Sequence, residues 1–325
     1  MRPFSLGLGI LTYGATWPDA FATARLADDL GYDHLFTADH LYATGGDPGQ
    51  AFFEGWTALA AWAQATKRVD LGLLVGANTF RNPGVVAKMA ATIDHISGGR
   101  AILGLGAAWE EDEQRAHGID PGRSLGQRID WLDESLTIIR AILAGEEVTW
   151  ASEKYWFDHV RHAPLPIRRP MPVLVGATGE RKGLRIVAKH ATIWQMWVNM
   201  DYLPEFGRLD AVLRRHWDDV GRDEREIRRL LGAKVIIRST RAEAEAAFNC
   251  HLEIQPWRGD ALDYIRQHLW AGTADDVTRA IERYRSAGMD GFVAQVYPPY
   301  DHETIEALAT TVRDRVGFPR DRSSD

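Results

Sequence analysis

The stretch VDLGLLVGANTFRNPGVVAKMAATIDHISGGR at positions 69–100, followed directly by AILGLG at 101–106, decides the fold of this chain. Val69–Val75 is an almost continuous apolar run, which is typical of a parallel strand covered on both faces. Pro83 suits the first turn of a helix, and apolar residues recur at helical spacing from there to Gly98. Ala101–Gly106 is a second buried strand. Strand, helix and strand joined this tightly predict a right-handed βαβ unit, whose chemistry lies at the carboxyl ends of its strands.

The same alternation of strand and helix continues along the chain. Further strands are predicted at Phe4–Leu11, His34–Thr37, Pro172–Val175, Ile193–Val198, Lys234–Arg238 and Phe292–Val296. With the two central strands they make eight, which predicts the α/β class and a (β/α)8 TIM barrel over residues 1–325 as one domain.

Two segments depart from the simplest form of that pattern. Residues 146–166 carry aromatic side chains among polar ones, which predicts a hairpin-like insertion between the fourth and fifth units. The segment Arg241–Trp270 is predicted to be helical with a break near Gln255 and Pro256, and Thr273 with Asp276 is predicted to cap the helix that follows.

Composition narrows the classes of function. A formal net charge of −7 argues against nucleic acid as a partner, and no apolar run approaches the length of a membrane span. A single cysteine, Cys250, fits a reducing compartment, so we expect a cytoplasmic protein. No His-x-His pair stands at a strand end, so no metal site is predicted and a metal-dependent barrel hydrolase is disfavoured.

Small residues follow two of the predicted strands. Gly176–Gly179 (GATG) stands between a strand and a helix, where free N–H groups suit a phosphate, although an ordinary turn has the same composition. The cations Arg181, Lys182 and Arg185 come next and fit either an anionic ligand tail or a solvated face. Ala107 and Ala108 leave room for a flat heterocycle or serve barrel packing alone.

Several stretches of the chain resemble the bacterial luciferase-like monooxygenase superfamily, in the branch that uses the 5-deazaflavin coenzyme F420. They are the central unit, TADHL (37–41), FEGWTALAAWAQAT (53–66), LGLGAAWEEDE (103–113), VGATGERKGLRIVAKHA (175–191) and GTADDV (272–277). The resemblance implies hydride transfer between F420 and a small organic substrate, in a homodimer. An FMN-dependent monooxygenase of the same superfamily is the alternative, and a non-catalytic cofactor-binding protein is a further one.

The resemblance also assigns roles to individual residues. His40 is expected beside the reacting carbon, where an imidazole can move a proton near neutral pH. A non-prolyl cis peptide is expected at Leu74–Val75, or one residue away, behind the ring of the cofactor. An ordinary strand end would have the same sequence. The implied cofactor contacts are Asp39, Leu74, Val75, Gly76, Asn78, Ala107, Ala108, Gly176, Ala177, Thr178 and Gly179.

The substrate side is less defined. Trp109 stands where the sugar-phosphate dehydrogenases of the superfamily have a catalytic glutamate, which implies a different substrate. Glu111 and Glu113 match family positions and are expected to be solvated or to orient the cofactor. Because concave sites are largely apolar, Tyr13, Trp109 and Trp197 are predicted to bind substrate. Further aromatic candidates for the pocket wall are Trp17, Trp56, Trp194 and Tyr297.

Overall fold

The computed structural model describes residues 4–44, 47–199, 202–254, 263 and 269–317. The strands, in chain order β1 to β12, are Ser5–Ile10, His34–Thr37, Asp70–Leu73, Gly76–Ala77, Ala101–Gly106, Val148–Ala151, Trp156–Val160, Val173–Gly176, Ile193–Trp197, Arg228–Ile237, Leu269–Gly272 and Gly291–Val296. Eight of them form a closed parallel barrel in the order β1-β2-β3-β5-β8-β9-β10-β12, and β12 returns to pair with β1. The predicted TIM barrel is confirmed.

Helices surround this barrel. In chain order α1 to α11, they are Trp17–Asp29, Gly55–Ala65, Pro83–Ser97, Glu111–Ala116, Leu125–Ala144, Gly183–His190, Leu203–Val220, Arg241–Ile254, Ala274–Ser286, His302–Ala307 and Arg313–Val316. The cap of α3 shows why the central unit folds as predicted. Asn82 accepts a hydrogen bond from Gly84 N (2.8 Å), and Gly98 ends the helix with φ of 71°, a left-handed conformation that glycine adopts at little cost. The predicted capping box of Thr273 and Asp276 is also present.

The apolar core has two layers because successive side chains of a barrel strand point alternately inward and outward. An inner cluster fills the barrel: Phe36, Leu74, Ile102, Leu174, Ile193, Leu230 and Val293. A larger outer cluster packs the strands against the helices. Among the described residues, no helix is both long enough and apolar enough to cross a membrane.

The insertion is a two-stranded antiparallel hairpin. Its strands β6 and β7 pair Trp150 with Phe157, and they lie between α5 and β8 in the chain, as predicted. The aromatic side chain of Phe157 is buried, and a Cβ on Gly84 would lie 3.0 Å from it. The hairpin therefore packs on the first turn of α3, beside the carboxyl end of the central unit.

Two predicted boundaries were wrong. The seventh barrel strand begins at Arg228 rather than Lys234, and its early arginines are tolerated because Arg229 pairs with Asp210 (2.6 Å). The helix predicted over Arg241–Trp270 is described only to Ile254, and Leu269–Gly272 is instead a strand paired with the end of β10. Hydrogen bonding to the end of β10 outweighs the helical pattern of the sequence there. The break predicted near Gln255 and Pro256 lies outside the described residues.

Candidate functional site

A shelf built from one valine side chain and two glycines crosses the carboxyl ends of three neighbouring strands. The peptide bond between Leu74 and Val75 is cis, as the resemblance predicted, and the side chain of Val75 lies against Gly106 and Gly176. A Cβ atom on Gly106 would lie 2.6 Å from Cγ2 of Val75, and one on Gly176 would lie 3.2 Å from Cγ1. We call Val75, Gly106 and Gly176 the floor.

The backbone beside the floor is equally tight. A Cβ on Gly104 would lie 1.9 Å from the carbonyl oxygen of Leu73, so that only glycine fits there. Ala107 and Ala108 follow Gly106, are half-buried, and carry the chain away from the barrel, with Ala108 in the left-handed region at φ of 62°. No large side chain of this segment covers Gly106, so the structure is consistent with the room predicted for a flat ring.

Asp39 is 3% exposed at the end of β2, and its carboxylate accepts three hydrogen bonds. One comes from Ala77 N (2.9 Å), and two come from the guanidinium of Arg81 (2.7 and 3.0 Å). Arg81 also reaches Glu54 (2.6 Å), which caps α2. Burial raises the pKa of Asp39, and Arg81 opposes that rise. The carboxylate thus fixes the turn after the floor and keeps lone-pair capacity for one more donor.

His40 is held by Glu113, a contact that the sequence analysis did not foresee. Nδ1 of His40 lies 2.8 Å from Oε2 of Glu113, which is 1% exposed on α4. The other oxygen of Glu113 accepts from the backbone N–H of Leu41 and of Tyr42. Burial tends to raise the pKa of Glu113, but His40 and the two N–H groups outweigh it and the net pKa is lowered. With Nδ1 engaged, Nε2 is the ring nitrogen left for a ligand.

Glu113→Ala is expected to lower the free energy of unfolding by about 2–3 kcal/mol at pH 7, because it leaves the His40 ring and backbone donors of 41–42 without their acceptor. Since the pKa of Glu113 is lowered on folding, its contribution is complete above the ordinary value of 4.5 and is lost as the pH falls below it. Urea unfolding at pH 7 and pH 4 measures this difference. Asp112→Ala, on the exposed face of the same helix, is the control and should change stability by less than about 0.5 kcal/mol. Equal effects of the two variants would contradict the assignment.

The insertion hairpin reaches the site through Tyr155. Its hydroxyl lies 3.2 Å from Nδ2 of Asn78, and both side chains are buried. Gly76, two residues before Asn78, has no room for a side chain either, since a Cβ there would lie 2.8 Å from the carbonyl of Gly104. The backbone from 75 to 78 is therefore fixed by the barrel on one side and by the hairpin on the other.

The loop Gly176–Gly179 lies where a phosphate loop was predicted, at the end of β8. Nε1 of Trp194 donates to the carbonyl of Ala177 (2.8 Å), while Thr178 and Gly179 are exposed. The helix α6 begins at Gly183, after a turn over 180–182.

The cations after this loop are not equivalent. Lys182 lies 2.7 and 2.8 Å from the two oxygens of Asp130, so its charge is already matched. Arg181 and Arg185 are exposed, and within the described part of the chain neither forms an ion pair. They are the cations that a ligand tail could meet.

The predicted substrate-binding aromatics lie at three places around the mouth, the carboxyl-terminal opening of the barrel. Trp109 is 64% exposed, and its ring is nearly perpendicular to that of His40, with 5.9 Å between the two ring centres. Tyr13 packs on Phe52 (5.0 Å) and Tyr297 (6.0 Å) and hydrogen-bonds Thr44 (2.9 Å). Trp197 belongs to the inner cluster and covers Gly232.

Two other aromatic candidates do not reach the mouth. Trp56 and Trp194 are buried in the outer core between strands and helices, so the expectation that they line the pocket is wrong. Trp56 is the second residue of α2, and alternation along β9 places Trp194 outward. In sequence, an outward tryptophan near a strand end resembles an inward one. Trp17 packs on Phe21 and Phe53.

Sequence reasoning missed a buried cation near the mouth. Lys234, on β10, is 5% exposed, and its ammonium lies 5.5 Å from the centre of the Tyr297 ring. Burial lowers its pKa to about 7. The Tyr297 hydroxyl donates to Oε1 of Gln295 (2.8 Å), and the centre of the His251 ring lies 5.9 Å from that of the Tyr297 ring. Leu230 points into the barrel, and alternation along β10 gives Lys234 the same direction. A strand predicted to begin at Lys234 lacks this signal. Among the described residues, no group of three or more His, Cys, Asp or Glu side chains could hold a metal ion.

This arrangement matches a known family. The model of the family described as luciferase-like monooxygenase matches residues 3–296. The chain belongs to that family. A putative coenzyme F420-dependent oxidoreductase of Mycobacterium tuberculosis is 30% identical over 319 residues, which cover 90% of this chain and 84% of the relative.

Solved structures of other enzymes share the fold. An F420-dependent secondary alcohol dehydrogenase, in complex with an F420-acetone adduct, superposes with a TM-score of 0.79 at 19% identity, over 97% of this chain and 99% of that one. The long-chain alkane monooxygenase LadA superposes with a TM-score of 0.82 at 16% identity, over 100% and 94%. At these identities the likeness concerns the barrel alone.

Proposed function

We propose that this protein is an F420-dependent oxidoreductase that transfers a hydride between the deazaflavin and a small organic substrate. The floor carries the proposal, since a planar tricyclic ring needs an apolar surface with no large side chain standing above it. The side chain of Val75 offers such a surface because it lies in the space that Gly106 and Gly176 leave. The name of the mycobacterial relative, which shares most of its length with this chain, supports F420 in particular.

The residues present suit such a cofactor. The floor would support the ring, and the backbone N–H groups of 176–179, in the loop between β8 and α6, would receive the phosphate. Arg181 and Arg185 would meet an anionic tail. Asp39 would act mainly as a positioning residue, because its oxygens hold Ala77 and Arg81. Bound F420 supplies a two-electron hydride donor or acceptor.

The chain itself would handle the substrate and its proton. Nε2 of His40 can exchange a proton with a substrate hydroxyl or carbonyl oxygen while Glu113 holds the other ring nitrogen. Trp109, Tyr13 and Trp197 would surround the substrate and exclude water. Without a glutamate at position 109, the wall next to His40 is aromatic, which favours a substrate with an apolar body and one oxygen at the reacting carbon.

Calorimetric titration of the purified protein with F420 and, separately, with FMN tests the proposal. F420 is expected to bind at one site per chain, with an affinity at least tenfold higher than that of FMN. The second measurement is the absorbance of bound F420 during turnover with a panel of secondary alcohols and ketones. Tight binding of FMN without binding of F420 would establish the FMN monooxygenase instead, and binding of neither would refute both.

A further inference from the structure

One polar side chain inside the barrel has no role so far. Gln195 is the third residue of β9, and its neighbours Trp194 and Met196 lie in the outer core, whereas Ile193 and Trp197 lie in the inner cluster. Alternation therefore places the Gln195 amide inside the barrel. Only 4% of the residue is exposed.

This amide borders the floor. A Cβ placed on Gly176 would lie 3.3 Å from Oε1 of Gln195 and 3.2–3.4 Å from the two γ carbons of Val75. Gly176 and Gln195 are register partners in β8 and β9. Gln195 and Val75 thus approach the same point from opposite sides, and a planar ligand on Val75 would have the amide at its edge.

The amide nitrogen lacks a partner. Nε2 of Gln195 is buried and donates to no acceptor within the described chain, so its N–H groups have no hydrogen bond there. A buried donor without an acceptor destabilises a protein. Oγ1 of Thr278 is also buried without a partner among the described residues, but it belongs to the surrounding helix α9, whereas alternation along β9 places the Gln195 side chain inside the barrel.

We propose that Gln195 is a cofactor-binding residue whose Nε2 donates a hydrogen bond to a carbonyl oxygen on the pyrimidine-dione edge of the ring. This rests on the proposed function, because it requires a ring on the floor. Deazaflavin and flavin share that edge, so the assignment is the same for either cofactor. A neutral amide suits a carbonyl oxygen better than a phosphate, for which the exposed loop 176–179 and Arg181 are available.

The test compares Gln195→Met with wild type and with Thr278→Val, a matched control that also removes a buried polar atom without a partner. Each protein is titrated calorimetrically with F420 and with FMN, and its unliganded Tm is measured. Gln195→Met is expected to weaken binding of whichever cofactor wild type binds by about 3- to 10-fold, the effect of one neutral hydrogen bond. Its unliganded Tm is expected at or above that of wild type, because the variant removes an unsatisfied donor. Thr278→Val should leave binding unchanged.

The outcomes separate the two proposals. If wild type binds a cofactor and Gln195→Met binds it equally well, the role of Gln195 is refuted and the proposed function stands. If binding weakens but the unliganded Tm falls by several degrees, the amide is a packing element and its role is refuted. If Thr278→Val weakens binding as much, the effect is general and the role is again refuted. If wild type binds neither cofactor, the proposed function itself fails.

Discussion

Arg81→Met is expected to lower the free energy of unfolding by about 3–5 kcal/mol, the cost of leaving a buried charge without its partner. The carboxylate of Asp39 is buried, and Arg81 supplies two of its three hydrogen bonds. Methionine fills a similar volume but offers no donor. The turn at Ala77 would then be held by a carboxylate that burial disfavours. Urea unfolding at pH 7 measures the loss.

A second variant distinguishes the ion pair from simple packing. The double variant Asp39→Asn/Arg81→Met removes the buried carboxylate charge together with the guanidinium that neutralised it, so most of the lost stability should return. The asparagine side chain at position 39 still accepts from Ala77 N. Arg115→Met breaks an exposed ion pair with Glu111 and is the control, with an expected change below about 1 kcal/mol. A double variant no more stable than Arg81→Met would contradict the account.

Lys234→Met is expected to stabilise the protein at neutral pH and to change the pH dependence of its stability. Burial lowers the pKa of Lys234 from 10.5 to about 7. Between these two values the unfolded chain binds more protons than the folded one, so the contribution of Lys234 makes stability rise with pH. Below pH 7 both states are protonated and the full burial penalty remains. The variant removes that penalty, which is on the order of 5 kcal/mol.

The measurement is the difference in free energy of unfolding between Lys234→Met and wild type from pH 6 to pH 10. The variant should be the more stable protein at pH 6–7, and the two should converge as the pH approaches 10. Lys67→Met, at an exposed position, should run parallel to wild type throughout. A constant difference across this range would show that Lys234 does not titrate as its burial predicts.

The elements that the sequence predicted correctly are those with a local pattern. Pro83, the apolar stripe of α3 and the paired glycines define the central unit within about thirty residues, and the hairpin at 148–160 carries its own aromatic signature. β11 was missed because its strand character depends on the end of β10, more than thirty residues away in the chain. Periodicity cannot report a partner at that distance.

The candidate site also combines residues with a local sequence signal and partners that are distant in the chain. Asp39, His40 and the cis bond at Leu74–Val75 were placed by resemblance to a family whose motifs are local. The partners that hold them, Arg81 and Glu113, lie 42 and 73 residues further along the chain, and only the closed barrel brings them together. The glycines of the floor read as ordinary strand residues until β5 and β8 are seen side by side.

The crystal structure of the protein with oxidised F420 tests the central claim most directly. The account predicts a planar ring lying on Val75 across Gly106 and Gly176, with the cofactor phosphate at 176–179 and the open face of the ring toward His40 and Trp109. A ring bound elsewhere on the barrel, or a phosphate remote from that loop, would contradict it.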